Sequence, residues 1–186
     1  HGLYVEAIRH AQAARDLEGS VQLLARAARS LIGDAHFAQL LQLADELPRE
    51  AWSKQIDLLL AVAWAELTCN RMERFELTLA SIEAHPEVSR PKIDTELQLL
   101  RAMFLLRRDD TTAVLALLEP LMAQPPSQRH FHLLMLYTLG GVALLKAGRT
   151  VFVRDLVYST RGLLRRAQGP RARPFRVLRE DLRHAD

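Results

Sequence analysis

Three places in this chain combine residue types that can do chemistry. His130 and His132 stand two apart, and paired imidazoles are common metal ligands. Residues two apart on a helix point to different sides, however, whereas zinc-binding helices space their histidines by four. The neighbouring sequence offers no third ligand, so no metal site is expected. Asp109-Asp110 suggests a cation, but the pair also reads as a turn followed by an N-cap for a helix starting at Thr111. Acidic residues favour that position because they accept hydrogen bonds from the free N–H groups of a first turn. Cys69 is the only cysteine. As a nucleophile it would need a base held by a third group, and none is near it in sequence. A lone thiol rules out a disulfide within these residues and a thiolate-ligated metal, and it fits a reducing cytoplasm. The expectation is a non-catalytic chain without cofactor, whose function lies in its surfaces.

The elements that would carry such surfaces show themselves through a repeat. Ala63, Ala102 and Gly141 fall 39 residues apart, and turn-type residues Asn70, Asp109 and Gly148 follow each of them by seven. Apolar Phe75, Val114 and Val153 come next, then Leu79, Leu118 and Val157. A small residue, a turn, then apolar positions at helical spacing describe two antiparallel helices that approach closely at the small residue. Such a unit cannot bury its apolar face alone and must stack on its neighbours. The fold class expected is all-α, an α-solenoid of antiparallel helix pairs.

Composition agrees. Hydrophobic residues make up 49%, enough for a core, and aromatics only 6%, with Leu and Ala dominating. No apolar run of about 18 residues is free of charge, so no membrane span is expected. The first residues lack an initiator Met and a signal-peptide pattern, which suggests a piece of something longer. Residues 1–50 read as one helix plus one hairpin that fit the period poorly: a helix over 4–15, a second capped by Asp16, Gly33-Asp34 as a stop-and-cap pair, and a third ended by Pro48. Residues 51–168 hold three pairs, 55–69 with 72–84, 91–108 with 111–123, and 130–147 with 150–168. A basic tail, 169–186, resembles part of a further unit. Charge is uneven: residues 1–145 carry 14 basic and 18 acidic side chains, a net −4, while 146–186 carry 11 and 4, a net +7.

The spacing at 137–160 resembles the tetratricopeptide pattern: Tyr137, Gly141, Leu144, Gly148, Val153, Val157 and Thr160. The family prefers Ala where Val153 stands, and the 39-residue period exceeds its roughly 34 residues, which suggests a divergent branch. Residues 6–70 carry a second likeness. Glu6-Ala7-Ile8-Arg9-His10-Ala11, Ala14-Arg15-Asp16, Leu23-Leu24, the run Leu40 to Pro48 and Ala63-Trp64-Ala65 resemble the helical-repeat region of MalT-type regulators. These are bacterial activators grouped with LuxR-type regulators by their DNA-binding end. The resemblance implies a segment that receives a small-molecule inducer or a regulatory protein and passes the signal to other domains of the same polypeptide. In that family a nucleotide-binding module precedes it and a helix-turn-helix domain follows. Neither a GKS/GKT loop nor a helix-turn-helix is present here, so neither ATP hydrolysis nor direct nucleic-acid contact is expected of this piece.

The tetratricopeptide likeness also implies an inner, ligand-facing surface on the first helix of each pair. Trp64, Met103 and Val142 would form its apolar strip, with Asp57, Glu96 and Met135 toward one end and Thr68, Arg107 and Lys146 toward the other. Trp64 is the expected anchor for a partner in the groove, unless it packs between adjacent helices. Arg161, Arg165 and Arg166, within a basic run that continues to Arg171 and Arg173, are candidate contacts for an acidic partner or a solvated face. The alternative is a general tetratricopeptide-like scaffold that holds a peptide or protein, unrelated to transcription.

Overall fold

The computed structural model describes residues 2–123 and 130–149. Among them every regular element is an α-helix, in the order α1 Gly2–Ala13, α2 Leu17–Gly33, α3 Phe37–Asp45, α4 Arg49–Trp52, α5 Ile56–Thr68, α6 Met72–Glu83, α7 Pro91–Arg107, α8 Thr111–Ala123 and α9 His130–Lys146. The chain is thus all-α, as its Leu- and Ala-rich composition dictates. It divides into two compact units, His1–Arg107 and Arg108–Asp186.

One local device recurs. After α1, α2, α5, α7 and α9 a single residue takes the left-handed conformation: Arg15, Ala35, Asn70, Asp109 and Gly148, with φ of 57°, 59°, 59°, 61° and 71°. In four of these turns the next residue's N–H reaches back five positions: Asp16 to the Ala11 carbonyl, His36 to Leu31, Arg71 to Glu66 and Arg149 to Leu144. Those bonds satisfy carbonyls that a helix end leaves open, and they reverse the chain within three residues. Asn, Asp and Gly tolerate this backbone better than other residues. That preference is why the 39-residue spacing of Asn70, Asp109 and Gly148 marks real turns. Two of the following helices start on acidic caps: Asp16 Oδ1 accepts from Gly19 N at 2.9 Å, and Asp110 Oδ1 from Ala113 N at 3.1 Å.

The stop-and-cap reading of Gly33-Asp34 is displaced by two residues. The helix continues through Gly33, Asp34 is its C-cap, and Ala35 takes the left-handed position instead of the glycine. His36 stands at the N-cap of α3 and makes no side-chain capping bond. Pro48 does end α3, but the chain then adds the single turn α4 before α5.

In the first unit α5 packs against α2, α3, α6 and α7. Eleven of its thirteen residues are buried, so no polar face remains. The α5 and α7 helices run in the same direction, since Asp57 meets Lys92, Trp64 meets Glu96, and Asn70 meets Arg107. Helix α6 runs against α7: Glu83 pairs with Arg101, and Phe75 stacks obliquely on Phe104 with ring centres 5.2 Å apart. The predicted small positions Ala63 and Ala102 are fully buried, as are Phe75, Val114 and Leu118. In the second unit α8 packs on α9, where the bare Gly140 admits the Met122 thioether: a Cβ at this glycine would lie 2.5 Å from the sulfur. Gly141 is buried beside it. Val153, Val157, the helix expected over 150–168 and the basic tail lie outside the described residues.

Ala35→Gly should stabilise the chain by about 0.5–1 kcal/mol, because glycine relieves the left-handed strain more than it adds unfolded-state entropy. Gly141→Leu should destabilise it by about 1–3 kcal/mol through overpacking. Urea denaturation checks both, and an unchanged midpoint for the leucine variant would contradict the close approach expected at this position.

Candidate functional site

The residues expected to line an inner groove separate into three kinds of position. Asp57 lies exposed at the start of α5, where Oδ1 accepts from Arg29 at 3.3 Å and from Lys92 at 3.2 Å. This triad ties α2, α5 and α7 together at the surface, where ion pairs contribute little stability. Trp64 is buried at 3% exposure. Its indole Nε1 donates to Glu96 Oε1 across the α5–α7 seam at 3.1 Å. Because α5 is enclosed by four helices, the position after the small Ala63 faces a neighbouring helix. Trp64 therefore presents no open aromatic face, and its expected part as groove anchor gives way to a packing role. Met103 is half-buried on α7. Val142 is exposed on α9 and belongs to the other compact unit.

Arg107 and Lys146 make contacts that their spacing alone does not indicate. Arg107 Nη1 donates to the Asn70 side-chain oxygen at 3.2 Å, and Lys146 donates to the Asp109 carboxylate. Each basic side chain, one helix pair later, clasps the left-handed turn residue 37 positions before it. The Lys146 hydrogen bond and charge hold the Asp109 carboxyl below its ordinary value. A periodic turn clasp, one within each unit, thus engages these two exposed basic side chains.

Of the chemical candidates, Asp109-Asp110 forms the turn and cap as read. Cys69 is exposed at the end of α5. His132 is buried on α9. Among the described residues no group of three His, Cys, Asp or Glu side chains converges as a metal site. No helix among them is long and apolar enough to cross a membrane. Arg161, Arg165 and Arg166 lie outside the described residues.

One polar cluster among the described residues has no counterpart in the sequence pattern. Residues 45–54 run alongside α6 in the same direction, joined at three levels. Asp45 accepts from Arg71 at 2.8 Å and from Arg74. Arg49 Nη2 donates to Thr78 Oγ1 at 3.1 Å and to Ser81 Oγ at 3.4 Å. His85 Nε2 donates to the Lys54 carbonyl at 3.1 Å. The Arg49 guanidinium also lies over the Trp52 ring, 5.4 Å from its centre, a cation–π contact on a buried indole. Behind this seam sits Glu66, on the last turns of α5 and only 2% exposed. Thr78, itself fully buried, is its hydrogen-bonding neighbour. Burial pushes the Glu66 carboxyl above its ordinary range. The Thr78 hydrogen bond and the charges of Arg49 and Arg74 oppose that push, and Asp45 adds to it. Partial burial also raises Asp45, but the hydrogen bonds and charges of Arg71 and Arg74 outweigh it and leave that carboxyl lowered. One signal in the sequence could have revealed the cluster: Glu66 is the only charge after Asp57 in the run Ile56 to Thr68.

Compared with known proteins, the chain matches no family model, no curated protein and no solved structure.

Trp64→Ala should destabilise the first unit by about 3–5 kcal/mol, as expected for a buried tryptophan. Trp64→Phe should cost less, and thermal unfolding of the two variants separates packing from the hydrogen bond to Glu96. Asp45 has its native pKa depressed, so its stabilisation is full above the ordinary value of 3.8 and is lost as pH falls through the lower native value. Asp45→Asn should flatten the acid limb of a stability–pH profile; a limb that persists unchanged would assign it to other carboxylates.

Proposed function

We propose that this chain is a non-catalytic, effector-receiving helical-repeat segment of a MalT-like bacterial transcriptional regulator, acting in the cytoplasm. The observation that carries this reading is the recurrence of one helix-hairpin geometry at the predicted spacing, with left-handed residues at Asn70, Asp109 and Gly148. The resemblance of residues 6–70 to the repeat region of that family supplies the functional direction. Surface clasps at the turns, such as Asn70–Arg107, can be made or exchanged without breaking the α5 core, which offers two arrangements close in free energy. An inducer or regulatory protein that binds one arrangement more tightly shifts the balance by that difference in affinity, and the shift reaches the attached domains. The buried Trp64 moves the expected contact surface away from an aromatic anchor and toward the exposed polar line of Asp57 and Arg107.

The gene on either side of these residues tests the proposal. A glycine-rich GKS/GKT loop upstream and a helix-turn-helix downstream are expected. If both are present, the paired surface substitutions Asp57→Ala and Arg107→Ala in the full polypeptide should weaken inducer-dependent transcription of a reporter while leaving the protein folded. The absence of both flanking domains would overturn the regulator reading in favour of a peptide-binding scaffold.

A further inference from the structure

Glu66 stands where the buried core, the α5–α6 turn and the polar seam meet. Its side chain is almost fully enclosed, and Oε2 has no hydrogen-bond partner among the described residues. Its backbone carbonyl accepts the Arg71 N–H that closes the α5–α6 turn. The Thr78 hydroxyl, which hydrogen-bonds the carboxyl, is shared with a cation from another element. Arg49 can only donate, so the Thr78 oxygen accepts from it, and the single hydroxyl proton is left for Glu66. The carboxyl thus stands at the end of a relay from Arg49 through Thr78, with Oε2 left without a partner among the described residues.

The charged groups acting on Glu66 come from each side of this seam. Asp45 belongs to α3, Arg49 to α4 and Arg74 to α6. On the other flanks of α5, Arg29 from α2 and Lys92 from α7 are engaged by Asp57, while Glu96 and Arg107 of α7 meet Trp64 and Asn70. The two cations near the carboxyl are already committed, Arg49 to Thr78 and Ser81, and Arg74 to Asp45. A neutral Glu66 carboxyl is compatible with all of these contacts. An ionised one, buried with a single donor, must draw Arg49 or Arg74 from its partner or admit water.

We propose that Glu66 is a protonation latch: with a proton on its carboxyl, segment 45–54 stays clamped to α6 through Arg49 and Thr78, and loss of that proton loosens the clamp. Burial raises the native proton affinity, so the sign is fixed. Stability from the neutral form is full below the unfolded-state pKa and is lost as pH rises through the raised native value. The latch therefore works in the opposite direction to Asp45 at the head of the same seam, and it does not depend on the regulator reading.

Carboxyl-carbon NMR of the intact chain, selectively labelled at glutamate, reads the Glu66 midpoint directly. The Trp52 indole N–H resonance reports on the Arg49 guanidinium above the ring. The expected result is a Glu66 midpoint above the ordinary glutamate value of about 4.3 and a Trp52 shift with the same midpoint. Each unit of separation corresponds to a tenfold change in the folded-to-unfolded ratio across the titration. Glu66→Gln should abolish the Trp52 titration. The other ionisable groups of the seam, Asp45 among them, are retained in that variant, so a Trp52 shift that survives comes from one of them and overturns the proposal. A Glu66 midpoint at or below the ordinary value in the wild-type chain overturns it too, and that measurement stands even if the glutamine variant fails to fold. Thr78→Val, which removes the one hydroxyl donor, should move the Glu66 midpoint higher still.

Discussion

Helix α5 has no face to spare for water, and most of the first unit follows from that. A helix surrounded by four others must be apolar all round, and Ile56 to Leu67 meets this demand at every position but Asp57 and Glu66. Asp57 escapes at the end of the helix and gathers cations from two neighbours at the surface. Glu66 cannot escape. The polar seam behind it, with Thr78, Arg49 and Asp45, is the local answer to one carboxyl placed inside the core. The alignment of residues 45–54 beside α6 belongs to the same answer, because Arg49 reaches Thr78 only when the two segments run side by side.

The turns work on a different principle. Each hairpin is closed by backbone hydrogen bonds around one left-handed residue, and the side chains there are chosen for tolerance of that conformation more than for contact. Once a turn is made, its exposed polar side chain becomes available to the next repeat. Asn70 and Asp109 each receive a basic side chain from near the end of a later helix. The same residue type thus permits the reversal and offers the hydrogen-bond acceptor, which explains how a turn signal and a charge signal came to share one period.

The helices were legible because their cause is local. Apolar spacing, the acidic caps at Asp16 and Asp110, and the turn residues of the 39-residue period act within a few positions, and the observed boundaries follow them closely. Ala35 was missed because alanine carries no turn preference; hydrogen bonds from Ala35 and His36 to Ile32 and Leu31 hold it there against its own inclination. The direction in which Trp64 points was not legible either. Helical periodicity says which residues share a face, but on a helix buried on all sides every face is interior, and only the placement of α7 decides that this indole meets Glu96. The polar seam depends on segments about thirty positions apart, beyond the reach of any local pattern.

Stacked helical repeats commonly lose their end units one by one, since each touches only its immediate neighbours. In the first unit α5 interrupts that progression. It lies against helices that precede it and helices that follow it, so fraying from α1 can advance inward only until α5 is reached, and from there the remaining helices have no separate core on which to survive. Residues 1–107 are therefore organised to melt as a single cooperative block, from which the end helix α1, packed chiefly on α2, is able to peel away first.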